Sequence, residues 1–391
     1  MENKLIITKL NNKIFTMLTD GRHPIEINCY NNEEGILGNL YIVKIRDIVT
    51  YLNAAFIDYE PGKRGYYPID STAKPFFINR KNTGKVCQGD EILLQVQKEG
   101  VKTKDPVFTS NINIKGKYVI LTVGKCFVGF SNKITDEVWK SSVKATVQSK
   151  CTDEYGFIIR TNAADLTIPQ LSGEIDRAIQ KWETIRNAAL HRTCYSVIQK
   201  EPAGYITDIR NGYNNEIADI ITDNQMIYED IKSYLASEQS DDLFKLKFYD
   251  DQLLPLYKLY NLEKTLAEAT NTRVWLKSGA YLVIEPTEAL TVIDVNTGKY
   301  QAKKKNREVF LKINKEAAIE IARQLRLRNI SGIIIIDFIN MDAAEDKAEL
   351  LAVFQSELKI DPLKTTLVGM TQLGLVELTR KKVRKSLAEQ F

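Results

Sequence analysis

The sequence predicts a multidomain protein of mixed class, α+β with α/β layers, and three stretches carry that prediction. From Gly38 to Val96, short strands of alternating character are punctuated by Gly and Pro, the texture of a small β-barrel. From about residue 216 to 269, strand and helix signals alternate, which marks a separate α/β unit. From Leu290 to Asp337, an apolar strand, a long amphipathic helix and a second apolar strand follow one another, the signature of a crossover within one sheet. A chain of 391 residues also exceeds what one hydrophobic core ordinarily serves.

Taken in order, the chain opens with a strand at Leu5-Ile6-Ile7 and a second near Phe15 to Leu18. These two cannot form a domain alone, so they must pair with something distant. In the barrel stretch, Tyr41, Val43 and Ile45 alternate with Ile42, Lys44 and Arg46; Ala54 to Tyr59, a turn at Pro61-Gly62, and Glu91 to Val96 continue it. Residues 111–161 read as further strands, ending at Gly156 to Thr161. A helix is expected over residues 172–191, capped by Ser172. After Pro202 come a short helix, a strand at 216–221, a helix over about 224–236, a strand at 243–248 and a helix over about 257–269. A hairpin runs through Val274-Trp275-Leu276, turns at Ser278-Gly279 and returns through Tyr281 to Ile284. In the helix beyond Arg307, Phe310, Ile313, Ala317, Ile321 and Leu325 fall within a stripe about 120° wide. The run Ile333-Ile334-Ile335-Ile336 has no polar alternation and reads as a strand buried on both faces.

Composition narrows the chemistry. Hydrophobic residues make up 44% and charged residues 27%, a folded, soluble balance, and the net charge of +4 permits a polyanionic partner without demanding one. Five scattered cysteines without a CxxC pair exclude a zinc ribbon and suit a reducing compartment. With two histidines in the whole chain, metal chemistry must be carboxylate chemistry, which favours Mg²⁺ or Mn²⁺. No apolar run is long enough to cross a membrane and no signal segment opens the chain, so a cytoplasmic location is expected.

The isoleucine run ends in Asp337, a costly carboxylate unless a cation or donor faces it. Asp294, 43 residues earlier at the end of Thr291-Val292-Ile293, is the proposed partner. Asn296 projects with Asp294 because side chains alternate along a strand. Two carboxylates and an amide suit one hard divalent cation able to assist phosphoryl displacement, although a lone strand-end Asp is more often a cap or an ion-pair partner. Phe56 and Tyr66, near Lys63, Arg64, Lys102 and Lys104, read equally as base-stacking aromatics or as barrel core. Arg160-Thr161 can bind a phosphate, but the residues alone favour a solvated arginine. The basic runs Lys303-Lys304-Lys305 and Arg380 to Lys385 fit a phosphate backbone or a solvated surface alike. Gly298-Lys299 and Gly84-Lys85 are not P-loops, since Ile293 and Asn79 stand where the earlier Gly belongs and Tyr300 and Val86 where Ser or Thr belongs.

The segments Glu285 to Lys299, Glu316-Ala317-Ala318, Ile321 to Arg328, Ile336-Asp337-Phe338-Ile339 and Gly374 to Lys381 resemble the ribonuclease E/G family, with weaker similarity over nearly the whole chain. The resemblance implies an Mg²⁺-dependent endoribonuclease acting on single-stranded RNA, in RNA processing or decay, and leaving 5′-phosphate and 3′-hydroxyl ends. It implies an RNase H-like domain at 1–36 and 206–269, an S1-type (OB-type) barrel at 37–110, a 5′-sensor region at 111–205 and a DNase I-like catalytic layer at 270–391. By motif position Asp294 and Asp337 would be metal ligands and Asn296 a catalytic amide. Phe56, Tyr66 and Lys104 would grip RNA, and Gly116, Arg160 and Thr161 would face a 5′-monophosphate. The departures are Tyr66 in place of Phe, Asn340 in place of Asp, and an end at Phe391, before the family's Cys-Pro-x-Cys zinc link. No zinc and no zinc-bridged dimer are therefore expected, with other homo-oligomers left open. Two alternatives stand beside this reading: a catalytically impaired RNA-binding protein of the same fold, and a carboxylate-metal phosphoesterase acting on a small molecule.

Overall fold

A computed structural model describes every residue except 1, 22, 32–34, 70–72, 80–83, 101–103, 213–216, 299–306 and 391. The fold is mixed α+β and divides into two units, Met1–Asn32 with Glu216–Phe391, and Glu33–Asn215.

The first unit holds two sheets. One has five strands in the order Leu246–Phe248, Ile217–Thr222, Asn3–Leu10, Lys13–Thr19 and Pro24–Tyr30. The N-terminal strands turn at Asn11-Asn12, both at positive φ (48° and 62°), as a two-residue type I′ hairpin needs. Their distant partner is Ile217–Thr222, which runs parallel to Asn3–Leu10 with Ile6 opposite Ile221. Ile6, Phe15, Met17 and Ile27 pack against Leu256, Leu262 and Leu266. The helix expected over 257–269 is two, Leu256–Leu259 and Leu262–Thr270, because Asn261 takes φ 50° between them.

The second sheet has six strands, ordered Arg273–Trp275, Tyr281–Pro286, Leu290–Asn296, Gly332–Asp337, Val376–Arg380 and Thr365–Met370. Only Leu290–Asn296 and Gly332–Asp337 pair in parallel, joined by the Arg307–Leu327 helix. That helix and Ala344–Lys359 cover one face, burying Ile313, Ala317, Ile321, Leu350 and Phe354 against Ile293, Ile334, Ile336 and Leu378. The other face is left open by both helices. The isoleucine strand is therefore not buried on both faces. Ile334 and Ile336 are fully buried, Ile335 is half-buried, and Ile333 is 51% exposed. A two-layer sheet alternates even where the sequence does not.

The terminal basic run also needs correction. Arg380 is neither a fraying residue nor a phosphate contact. It lies buried, donating from Nε and Nη2 to Asp361 at 2.6 and 3.3 Å and from Nη1 to Asn329 Oδ1 and the Ile330 carbonyl.

In the second unit, five strands close a barrel: Leu40–Val49, Ala54–Glu60, Lys63–Pro68, Val107–Thr109 and Glu91–Lys98, the last pairing back onto the first. Tyr41, Val43, Ile45, Ile57, Tyr59, Tyr67 and Phe108 fill it. Gly65 is dictated by that filling, since a Cβ there would stand 2.5 Å from the Phe108 ring. Residues 113–159 form a four-stranded sheet. Between its last two strands in sequence lies a helix, Glu137–Ser149, where only strands were expected; Asp136 caps it, accepting from Trp139 N at 2.9 Å. The expected helix at 172 starts earlier, at Ile168, with Thr167 and Gln170 as its capping pair in place of Ser172. All five cysteines are free thiols. Among the described residues no helix is long and apolar enough to cross a membrane.

Candidate functional site

The open face of the six-stranded sheet carries the carboxylates. Strand alternation turns Ile293 and Val295 into the core and Val292, Asp294 and Asn296 outward. The parallel register sets Asp294 directly beside Asp337, so the two carboxylates stand side by side at adjacent strand ends. Asn296 Nδ2 donates to Asp294 Oδ2 at 2.6 Å, which fixes one oxygen and leaves the others open. Both aspartates are exposed, so the desolvation that first drew notice to Asp337 is absent. Among the described residues neither has an ion-pair partner, and no third His, Cys, Asp or Glu joins them into a metal cluster. Two adjacent, exposed carboxylates could hold one hard divalent cation that keeps most of its hydration shell.

Neighbouring groups that the sequence reading passed over hold this corner in place. Asn314, fully buried on the Arg307–Leu327 helix, clamps the backbone just past Asp337: its Nδ2 donates to the Ile339 carbonyl at 2.8 Å and its Oδ1 accepts from Ile339 N at 3.0 Å. Gly298, at φ 62°, brings the chain beyond Asn296 against the hairpin turn, where a Cβ would meet the Gly279 carbonyl at 2.2 Å. A buried asparagine on an otherwise apolar helix face was the available signal for the first. Asn340 is exposed beyond the strand end. Lys102 and the Lys303-Lys304-Lys305 run lie outside the described residues.

In the other unit, Phe56 and Tyr66 are cross-strand partners on the outside of the barrel, not in its core. Their ring centroids are 5.9 Å apart at 65°, and the Arg64 guanidinium lies 5.5 Å from the Phe56 ring. Lys104 is exposed, two residues before Pro106, whose carbonyl accepts from Tyr66 N at 2.8 Å.

Gly116, Arg160 and Thr161 converge within that unit. Arg160 Nη1 donates to the Gly116 carbonyl at 2.7 Å and Nη2 to Asn211 Oδ1 at 2.8 Å. Thr161 shares a 2.8 Å hydrogen bond with Ser131. Arg160 is thus an oriented side chain, not a loose solvated one. Asn211 and Ser131 carry no sequence signal, because they reach this point from 51 and 30 residues away.

The Ribonuclease E/G family model matches residues 113–383. The chain is 33% identical over 362 residues to Ribonuclease E of Synechocystis, covering 91% of this chain and 53% of that protein. It is 31% identical to Ribonuclease G of Haemophilus influenzae over 91% of this chain and 30% identical to Ribonuclease G of Escherichia coli K12 over 90%, in each case 74% of the relative. It thus spans about half the length of the ribonuclease E relative. With the family model spanning well over half of the chain and relatives at 30% identity or more covering nine-tenths of it, the chain belongs to the ribonuclease E/G family.

Proposed function

We propose that this protein is an endoribonuclease that cuts single-stranded RNA by Mg²⁺-assisted hydrolysis of a phosphodiester bond, leaving 5′-phosphate and 3′-hydroxyl ends, in RNA processing or decay in the cytoplasm. The observation that carries the reading is the register pair Asp294–Asp337 with Asn296 bonded to it. Mg²⁺, or Mn²⁺ in its place, held there with several waters, would supply Lewis-acid polarisation of the phosphoryl oxygen and a more acidic water. The protein's own part is placement. Asn296 commits one N–H to Asp294, which fixes the carboxylate's direction, and keeps its other N–H for the scissile phosphate. In this reading the barrel is S1-type, with Phe56 and Tyr66 as sequence-tolerant stacking surfaces and Lys104 as a phosphate contact. The five-stranded sheet is RNase H-like and the six-stranded layer DNase I-like. Arg160, held by the Gly116 carbonyl, and Thr161 receive a 5′-monophosphate beside Gly116, so RNA bearing one is preferred.

The test is cleavage of a 5′-monophosphorylated, A/U-rich single-stranded RNA with Mg²⁺ and with excess chelator, the new ends being typed by a 5′-phosphate-dependent exonuclease. Cutting that needs the metal and yields 5′-phosphate ends is expected. RNA binding with no cutting in any metal would leave an RNA-binding protein of this fold.

A further inference from the structure

The edge of the catalytic sheet carries a cluster that the proposed chemistry does not use. Trp275 is 60% exposed, although burial of a tryptophan is strongly favourable. It pairs across the hairpin with Tyr281, ring centroids 5.1 Å apart at 55°. The Arg273 guanidinium lies 4.5 Å from the Tyr281 ring and 5.9 Å from the Trp275 ring. Alternation places all three on the open face, since Val274 and Leu276 turn inward.

The register continues this cluster into the carboxylate site. Tyr281 is the direct cross-strand partner of Asn296, and Trp275 that of Tyr281. Trp275, Tyr281 and Asn296 therefore form one row, with the Trp275 strand roughly 10 Å from the Asn296 strand. One or two nucleotides of single-stranded RNA bridge that gap. The hairpin is also held firmly. Glu316 Oε1 accepts from Lys277 N at 2.8 Å and Ser278 N at 3.3 Å, and Gly279 N donates to the Leu276 carbonyl at 3.0 Å. A surface fixed in this way stacks a base without losing freedom of its own.

We propose that Trp275, Tyr281 and Arg273 form a base-stacking subsite for one nucleotide of single-stranded RNA next to the scissile phosphate. The inference rests on the nuclease reading above. Aromatic faces accept any base, so the subsite contributes affinity and register more than strict sequence. The guanidinium extends the stack and attracts the adjoining phosphate. Purines, with the larger face, gain most.

Two arms test it. In the first, RNAs carrying 2-aminopurine at successive positions are bound to the Asp294→Asn, Asp337→Asn double variant, and fluorescence reports stacking whether or not the native chain cuts RNA. Quenching at one or two adjacent positions is expected. It should be lost in a triple variant that adds Trp275→Ala and kept in one that adds Trp275→Phe. In the second, an abasic nucleotide at the quenched position should lower kcat/KM of the native protein by about tenfold and that of Trp275→Ala far less. A quenching pattern and RNA affinity unchanged by Trp275→Ala would overturn the proposal. Lower thermal stability with unchanged affinity would do the same, assigning the cluster to hairpin stability alone. If the native chain does not cut RNA at all, the first arm still decides for or against stacking, and the nuclease reading fails separately.

Discussion

A parallel pair in register brings same-face residues together, and that rule alone sets Asp294 beside Asp337. Their juxtaposition was legible from two apolar strands flanking one amphipathic helix. Their exposure was not, because four consecutive isoleucines hide a period-two alternation that only packing reveals: Ile334 and Ile336 buried, Ile333 open. Asn296 belongs to the same row by spacing, but its 2.6 Å bond to Asp294 could only be seen in space. Removing that amide should leave folding unchanged and strike turnover. For Asn296→Ala we expect kcat to fall on the order of a hundredfold with little change in KM, as loss of one oriented donor does elsewhere. Steady-state cleavage kinetics beside a melting curve check this. At Arg160 the expected effect is one of discrimination. Arg160→Ala should narrow the rate difference between 5′-monophosphate and 5′-hydroxyl RNA, and an unchanged ratio would remove Arg160 from that role.

At the level of elements, the corner around Asp337 depends on its neighbours. Asn314 satisfies both backbone groups of Ile339 from a fully buried position, so Asn314→Ala leaves two polar groups without partners. A loss of about 1–3 kcal/mol is expected, read as a lower unfolding midpoint of the unit that holds the six-stranded sheet. Gly298 is restricted twice, by φ 62° and by the Gly279 carbonyl. Gly298→Ala should slow cleavage by displacing the hairpin turn beside Asn296, which steady-state cleavage kinetics check. Where the Arg307–Leu327 helix begins, Arg307 donates from Nε and Nη2 to Asp346 at 2.7 and 2.9 Å and holds its carboxyl below the usual range. A depressed carboxylate pKa stabilises the fold above the unfolded value, and that stability is lost as pH falls through the folded one. Thermal melts from pH 5 to 3 should therefore fall less steeply for Asp346→Asn than for the native chain. Among helices, Glu137–Ser149 was not legible because only Val143 and Val147 are buried, too sparse a stripe to read. The start of Ile168–Leu190 was misread because Ser172 looks like a cap while Thr167, behind Pro169, is the residue that caps.

On the scale of the whole molecule, the barrel and the mixed class were legible because both rest on local periodicity. The five-stranded sheet was legible as an N-terminal pair of strands without neighbours and an α/β unit after Pro202 that could take them in. The parallel register that joins them more than 200 residues apart, Ile6 opposite Ile221, was not, because no local pattern sets it. The cores follow the same division. Among the described residues, the clusters that fill the barrel and the sheet beside it come from residues 36–198, and the cluster of the six-stranded layer from residues 274–378. A fragment of residues 33–215 should accordingly fold by itself and bind single-stranded RNA without cutting it, which circular dichroism and fluorescence anisotropy can establish. The central claim is the carboxylate pair, and one comparison tests it most directly: Mg²⁺-dependent cleavage of a 5′-monophosphorylated single-stranded RNA by the native protein and by the Asp294→Asn, Asp337→Asn double variant. Cleavage lost in the variant, with RNA affinity and melting temperature retained, is the predicted result; equal cleavage by both would contradict it.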